Sequence, residues 1–60
     1  MTNYELWWLG EIVESAPKSR AGLCRLYWSA VQIAENRDAP LQGGTLEIFH
    51  RDELVWSYEL

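Results

Sequence analysis

The sequence predicts a single α+β domain in which two helices pack on a C-terminal antiparallel β-hairpin. Three observations lead to this fold class. The chain has only 60 residues, apolar residues recur at helical spacing in its middle, and apolar and polar residues alternate near its end. A chain of this length builds one small core, so residues 1–60 are expected to form one domain.

The first predicted helix runs from about Asn3 to Ser15. The run Thr2-Asn3-Tyr4-Glu5 fits a capping box, and Pro17 would end the helix. Its apolar stripe would consist of Leu6, Leu9 and Val13.

A strand over residues 4–14 is the alternative for the same segment. Trp, Tyr, Ile and Val favour strands, and Gly10 weakens a helix by about 1 kcal/mol relative to alanine. This alternative gives the order β-α-β-β, with a three-stranded sheet.

The second predicted helix begins after Ser19, a suitable N-cap, and ends near Asn36. Trp28 lies off its apolar stripe, so we expect an exposed indole there, and Cys24 lies at the margin of the stripe. The stripe itself is formed by Leu23, Leu26, Tyr27, Ala30, Ile33 and Ala34.

Residues 38–44, which contain a proline and two glycines, are predicted to be a linker. A hairpin follows, and its two apolar sets share a face if the connection is the three residues 51–53. The other face would then place Phe49 opposite Val55. The pairs predicted for the apolar face are His50 with Leu54, Ile48 with Trp56 and Leu46 with Tyr58.

The net charge of the chain indicates which class of partner to expect. Nine acidic side chains against five basic ones give a net charge of −4, which argues against direct binding to nucleic acid because phosphates require a basic face. An acidic surface favours a basic partner. The single cysteine and the lack of a long apolar run lead us to expect a reducing cytoplasm, without a signal peptide or a membrane span.

No set of residues predicts catalysis. Cys24 and His50 are the only thiol and imidazole, and no feature of the pattern brings them together. Glu11 and Glu14 are interpreted as a solvated face rather than part of a metal site. We therefore expect no enzyme, no cofactor and no bound metal.

The outer face of the predicted hairpin is the candidate docking surface. Phe49 and Val55 would form an apolar centre with Glu47 and Glu59 around it, as in a protein interface. An ordinary surface or a self-association edge is the other interpretation. The candidate partner-binding residues are Glu11, Glu14, Trp28, Glu47, Phe49, Glu53, Val55 and Glu59.

In size, acidity and aromatic content the whole chain resembles the small phage-encoded anti-CRISPR proteins. The matching carboxylates are Glu11, Glu14, Glu47, Glu53 and Glu59. The resemblance implies that these carboxylates replace phosphates in a nucleic-acid channel lined by lysine and arginine, in the cytoplasm of the host cell.

Two functions follow as hypotheses. The first is a non-catalytic inhibitor that binds a basic, nucleic-acid-handling host protein or nucleoprotein effector, by partial mimicry of nucleic acid. The second is a self-associating or partner-dependent module, such as a toxin antidote or a subunit of a small complex. In that case the edge strand 54–60 would extend a sheet across an interface, for example in a homodimer.

Overall fold

The fold is a four-stranded antiparallel sheet with one long helix on one face. A computed structural model describes residues 2–36 and 39–60. The elements are β1 (Asn3–Trp8), β2 (Glu11–Pro17), α1 (Arg20–Glu35), α2 (Ala39–Gln42), β3 (Thr45–His50) and β4 (Glu53–Glu59). The strand order is β2-β1-β3-β4, so the chain forms two hairpins joined by the helical connection.

The predicted N-terminal helix is wrong, and so is the alternative of a single strand over residues 4–14. This segment forms the β1–β2 hairpin instead, and it adds a fourth strand to the sheet. Leu9 and Gly10 both have positive φ, 53° and 78°, as the two central residues of a type I′ hairpin turn require. A bulge after Leu6 leaves Val13 without an opposite residue.

The prediction of the central helix is confirmed. The Ser19 side chain accepts a hydrogen bond of 3.0 Å from the backbone N–H of Gly22, and α1 ends at Glu35. Trp28 is 65% exposed, as its position off the stripe predicts. Cys24, predicted at the margin of the stripe, is exposed. Of the predicted linker, Asp38 lies outside the described residues and 39–42 form the short helix α2.

The second hairpin keeps part of its predicted register. Ile48 pairs with Trp56, and Leu46 pairs with Tyr58, as predicted. The turn, however, contains two residues rather than three, so His50 pairs with Glu53 instead of Leu54. A bulge after Ile48 compensates for the shorter turn and places Leu54, not Val55, opposite Phe49.

The core lies between α1 and the sheet face that carries Leu6 and Ile48. α1 packs against β2 and β1, and Tyr27 reaches the β4 side, where its ring meets that of Trp56 edge-on at 5.4 Å. The helix therefore lies over one half of the sheet. The buried core consists of Leu6, Ala16, Leu26, Ala30, Leu46 and Ile48. In the described part of the chain, neither helix is long and apolar enough to cross a membrane.

Candidate functional site: the uncovered face of the sheet

Strand alternation determines which side chains face away from α1. Glu14 marks the helix side, since it accepts a hydrogen bond from Ser29 of α1 at 3.1 Å. Leu6 lies opposite Glu14 in the ladder and therefore shares this side. The neighbours of Leu6 along β1, Glu5 and Trp7, point to the other face.

Four apolar side chains cross this uncovered face, one on each strand. Ile12 lies opposite Trp7, and Leu54 lies opposite Phe49. Trp7 and Phe49 are diagonal neighbours on the two central strands, because Glu5 pairs with Phe49 and Trp7 pairs with Glu47. Ile12, Trp7, Phe49 and Leu54 thus form a continuous line, which we call the apolar diagonal.

The apolar diagonal is accessible along its length. Ile12 and Leu54 at its ends are 50% and 49% exposed, whereas Trp7 and Phe49 in the middle are half-buried. A shallow hollow of about 390 Å³ lies beside the two rings. Large rings with accessible edges are the side chains that most often anchor protein contacts.

Carboxylates lie on both sides of the apolar diagonal. Glu5 flanks it on one side, and its Oε1 accepts a hydrogen bond from Trp7 Nε1 at 3.3 Å. Glu47 flanks it on the other side, opposite Ser57, and Glu59 follows on β4, opposite Thr45. The surface therefore combines an apolar centre with an acidic border.

The cation near this surface is Arg51, in the β3–β4 turn. Arg51 and Asp52 line the hollow together with Glu5, Trp7 and Phe49. Within residues 2–36 and 39–60, the ion pair found is Arg25 Nε with Glu14 Oε2 at 3.2 Å, on the helix side. Glu5, Glu47 and Glu59 therefore have no ion-pair partner among these residues.

The residues predicted for partner binding do not all lie on the uncovered face. It brings Glu47, Phe49 and Glu59 together on the uncovered face. Glu14 lies under α1 in its ion pair, and Trp28 lies on the outer side of α1, across the sheet from Phe49. The remaining three are exposed away from this centre: Glu11 after the first turn, Glu53 opposite His50, and Val55 at the β4 bulge.

Sequence reasoning missed the half of this surface that comes from β1 and β2. Glu5, Trp7 and Ile12 fall within the segment predicted to be a helix, where Trp7 would lie on the opposite side from Glu5 and Ile12. The signal that could have found them is the alternation of Glu5 and Trp7 with inward residues, ending before Gly10, a residue suited to a tight turn.

The thiol of Cys24 and the imidazole of His50 lie in different surroundings. Cys24 is exposed on α1, whereas His50 packs edge-on against the Tyr4 ring at 5.9 Å. His50 Nε2 is buried and has no hydrogen-bond partner among the described residues. In the same part of the chain, no three His, Cys, Asp or Glu side chains converge as metal ligands would.

Comparison of the chain with protein-family models, with curated protein sequences and with solved structures found no match. The chemistry of the uncovered sheet face is therefore the basis for assigning a function.

Proposed function

We propose that the chain is a non-catalytic binding protein that docks on a basic surface of a nucleic-acid-handling protein. The observation that carries this proposal is the apolar diagonal with carboxylates on both sides. A complementary partner presents apolar side chains flanked by lysine or arginine. Surfaces that bind nucleic acid are rich in these cations, so the docked chain would compete with the nucleic acid.

The two kinds of side chain make different contributions. Trp7 and Phe49 offer area that a partner can cover, and arginine can also stack on an aromatic face. Glu5, Glu47 and Glu59 attract the partner and fix its orientation, which mainly raises the association rate. Because these carboxylates are exposed or half-buried, salt should weaken the attraction.

A titration with a synthetic peptide tests this chemistry. The peptide carries a Leu/Phe centre flanked by arginines, and the comparison peptide carries glutamates in place of the arginines. We expect binding of the first peptide only, with an affinity that falls as salt is added.

Charge-reversal variants identify the surface. The double variant Glu47→Lys with Glu59→Lys should weaken binding of the arginine peptide about tenfold or more. Glu11→Lys with Glu53→Lys is the matched control, because it reverses the same number of charges at two exposed residues that lie away from the uncovered face. If the Glu47→Lys, Glu59→Lys variant binds as well as the control does, the proposal is wrong.

An inhibitor of the anti-CRISPR type is the narrower form of this proposal, acting in a reducing cytoplasm. Its test is the interference activity of a purified CRISPR effector, with and without the chain. Inhibition that is lost in the Glu47→Lys, Glu59→Lys variant supports the narrower form. Full effector activity at saturating chain contradicts it for that effector.

Strand addition at β4 is the second candidate, because this edge strand exposes Leu54, Val55 and Tyr58. A copy of β4 paired antiparallel about Trp56 would place Glu53 opposite Glu59, and like charges opposite each other are unfavourable. A basic strand is the better partner for this edge. Isotope-edited infrared spectra of a bound, labelled peptide would show new sheet signal only if this candidate is correct.

A further inference from the structure

The outer side of α1 carries a second surface, across the sheet from the apolar diagonal. One line of five exposed residues follows the helix at spacings of four, four, three and four, which keeps them on one side. Trp28 and Val31 in this line are 65% and 41% exposed. The line, which we call the helix stripe, consists of Arg20, Cys24, Trp28, Val31 and Glu35.

The charges at the two ends of the helix stripe are the reverse of what a lone helix favours. Arg20 is the first residue of α1 and Glu35 is the last. The helix has no acidic residue in its first turn and no basic residue in its last turn. A helix N-terminus favours negative groups and a C-terminus positive ones, so both side chains are unfavourably placed in a single copy.

A second copy, packed antiparallel, removes both conflicts. When the twofold axis passes between Tyr27 and Trp28, Arg20 of one copy lies at the level of the partner's Glu35, and Cys24 lies at the level of the partner's Val31. Each charge then meets an opposite charge and the favourable end of the other helix dipole. Neither Arg20 nor Glu35 has an ion pair within the described residues.

A groove beside the helix stripe has room for the partner's tryptophan. Because α1 lies over β2 and β1, a gap of about 430 Å³ remains between the helix and β4. Helical side chains lean toward their own N-terminus, and in the antiparallel pair this direction leads the partner's Trp28 toward Val31 and the groove. The groove is lined by Ala30, Val31, Ala34, Glu35, Trp56 and Tyr58.

We propose that the helix stripe is a self-association surface, at which two copies of the chain pair through antiparallel α1 helices. The two Trp28 side chains fill the two grooves, and two symmetric Arg20–Glu35 pairs fix the register. This pairing leaves the apolar diagonal of each copy uncovered. The dimer would therefore present the two uncovered sheet faces on its opposite outer sides. The pairing of the α1 helices does not depend on the function proposed above.

Sedimentation velocity over a concentration series tests the pairing. We expect the native chain to pass from monomer to dimer as its concentration rises. Arg20→Glu and Glu35→Arg should each weaken the dimer about tenfold or more, because each turns two attractions into repulsions. Each change also gives the helix the terminal charge that its dipole favours, so weaker pairing would not reflect unfolding.

The decisive comparison combines the two changes, either in one chain or in a mixture of the two single variants. The double variant Arg20→Glu, Glu35→Arg should regain much of the dimerisation that each single variant loses, because the two ion pairs are restored, and an equimolar mixture of the two single variants should form a mixed dimer. Glu47→Lys is the control, because Glu47 lies on the central strand β3 and on the sheet face away from α1, and it should leave self-association unchanged. A monomer at every concentration overturns the proposal, and so does a dimer that tolerates both single reversals.

A cysteine at position 31 tests the register. In Val31→Cys, the native Cys24 of each copy lies level with the new thiol of the other copy, so mild oxidation should give a covalent dimer. Ala21→Cys is the control, because Ala21 is exposed on α1 but lies at the same end as Cys24. Crosslinking of the control, or of the native chain through Cys24 alone, equal to that of Val31→Cys overturns the antiparallel register.

Discussion

Gly22 lies in the first turn of α1, close to the backbone at the end of β2. A Cβ atom built at this position would collide with the backbone carbonyl oxygen of Pro17. Because the obstructing atom belongs to the backbone, no side-chain rotation can relieve the collision. The glycine therefore sets how closely α1 approaches the sheet.

Gly22→Ala should lower the free energy of unfolding by about 1–3 kcal/mol, because the start of the helix must shift. This loss should occur although alanine favours a helix over glycine by about 1 kcal/mol. Urea unfolding followed by circular dichroism measures the change. A more stable Gly22→Ala protein, as in an unobstructed helix, would contradict the close approach.

The Glu14–Arg25 ion pair should contribute less to stability than the close approach at Gly22. Its Nε–Oε2 distance is 3.2 Å, but the Arg25 side chain is 66% exposed and that of Glu14 is 30% exposed. Arg25→Ala should therefore cost less than about 1 kcal/mol, and high salt should reduce the cost further. Thermal unfolding at two salt concentrations checks this expectation. A loss of more than about 2 kcal/mol would show that the pair is central to stability.

Among the elements, the β1–β2 turn departs from standard sequence preference at its first central residue. Leu9 has a φ of 53°, a conformation that asparagine tolerates far better than leucine. Leu9→Asn creates the Asn-Gly pair typical of type I′ turns and should raise the free energy of unfolding by about 0.5–1 kcal/mol. Chemical denaturation of the variant beside the native chain measures it, and Gly10→Ala should shift stability the opposite way.

Helix α1 could be predicted from sequence because its signals are local. Ser19 caps it, and the core residues Leu26 and Ala30 lie one turn apart. The first hairpin could not be predicted, since its apolar residues fit a helical stripe and a strand about equally well. Pairing of β1 with β3, forty or more residues away along the chain, decides between them, and sequence periodicity does not record such pairing.

The candidate site could likewise be predicted only where its sequence signals are local. Alternation along β3 and β4 places Glu47, Phe49 and Glu59 on one face without any knowledge of the rest of the sheet. The partner of Phe49 was missed because the β4 bulge shifts the register by one residue, and nothing in the sequence marks that bulge. Trp7 and Glu5 join the surface only once β1 lies beside β3.

At the scale of the whole molecule, the two faces of the sheet have different roles. The helix side buries Ile48 completely, whereas the other side leaves Leu54 about half exposed. Ile48→Ala should lower the free energy of unfolding by about 2–5 kcal/mol. For a domain of this size, such a loss is enough to leave most molecules unfolded. Leu54→Ala should cost less than about 1 kcal/mol. Heat denaturation of the two variants checks this difference, which would vanish if both faces were packed.

The four tryptophans occupy four different places in this fold. Trp7 lies on the uncovered face, Trp8 donates its indole N–H to the Gly43 carbonyl at 3.0 Å, Trp28 projects from α1, and Trp56 packs against Tyr27. The chain consequently contains its own set of reporters. Selective perturbation of one indole resonance in an NMR spectrum would reveal which side of the molecule an added compound touches, without any label.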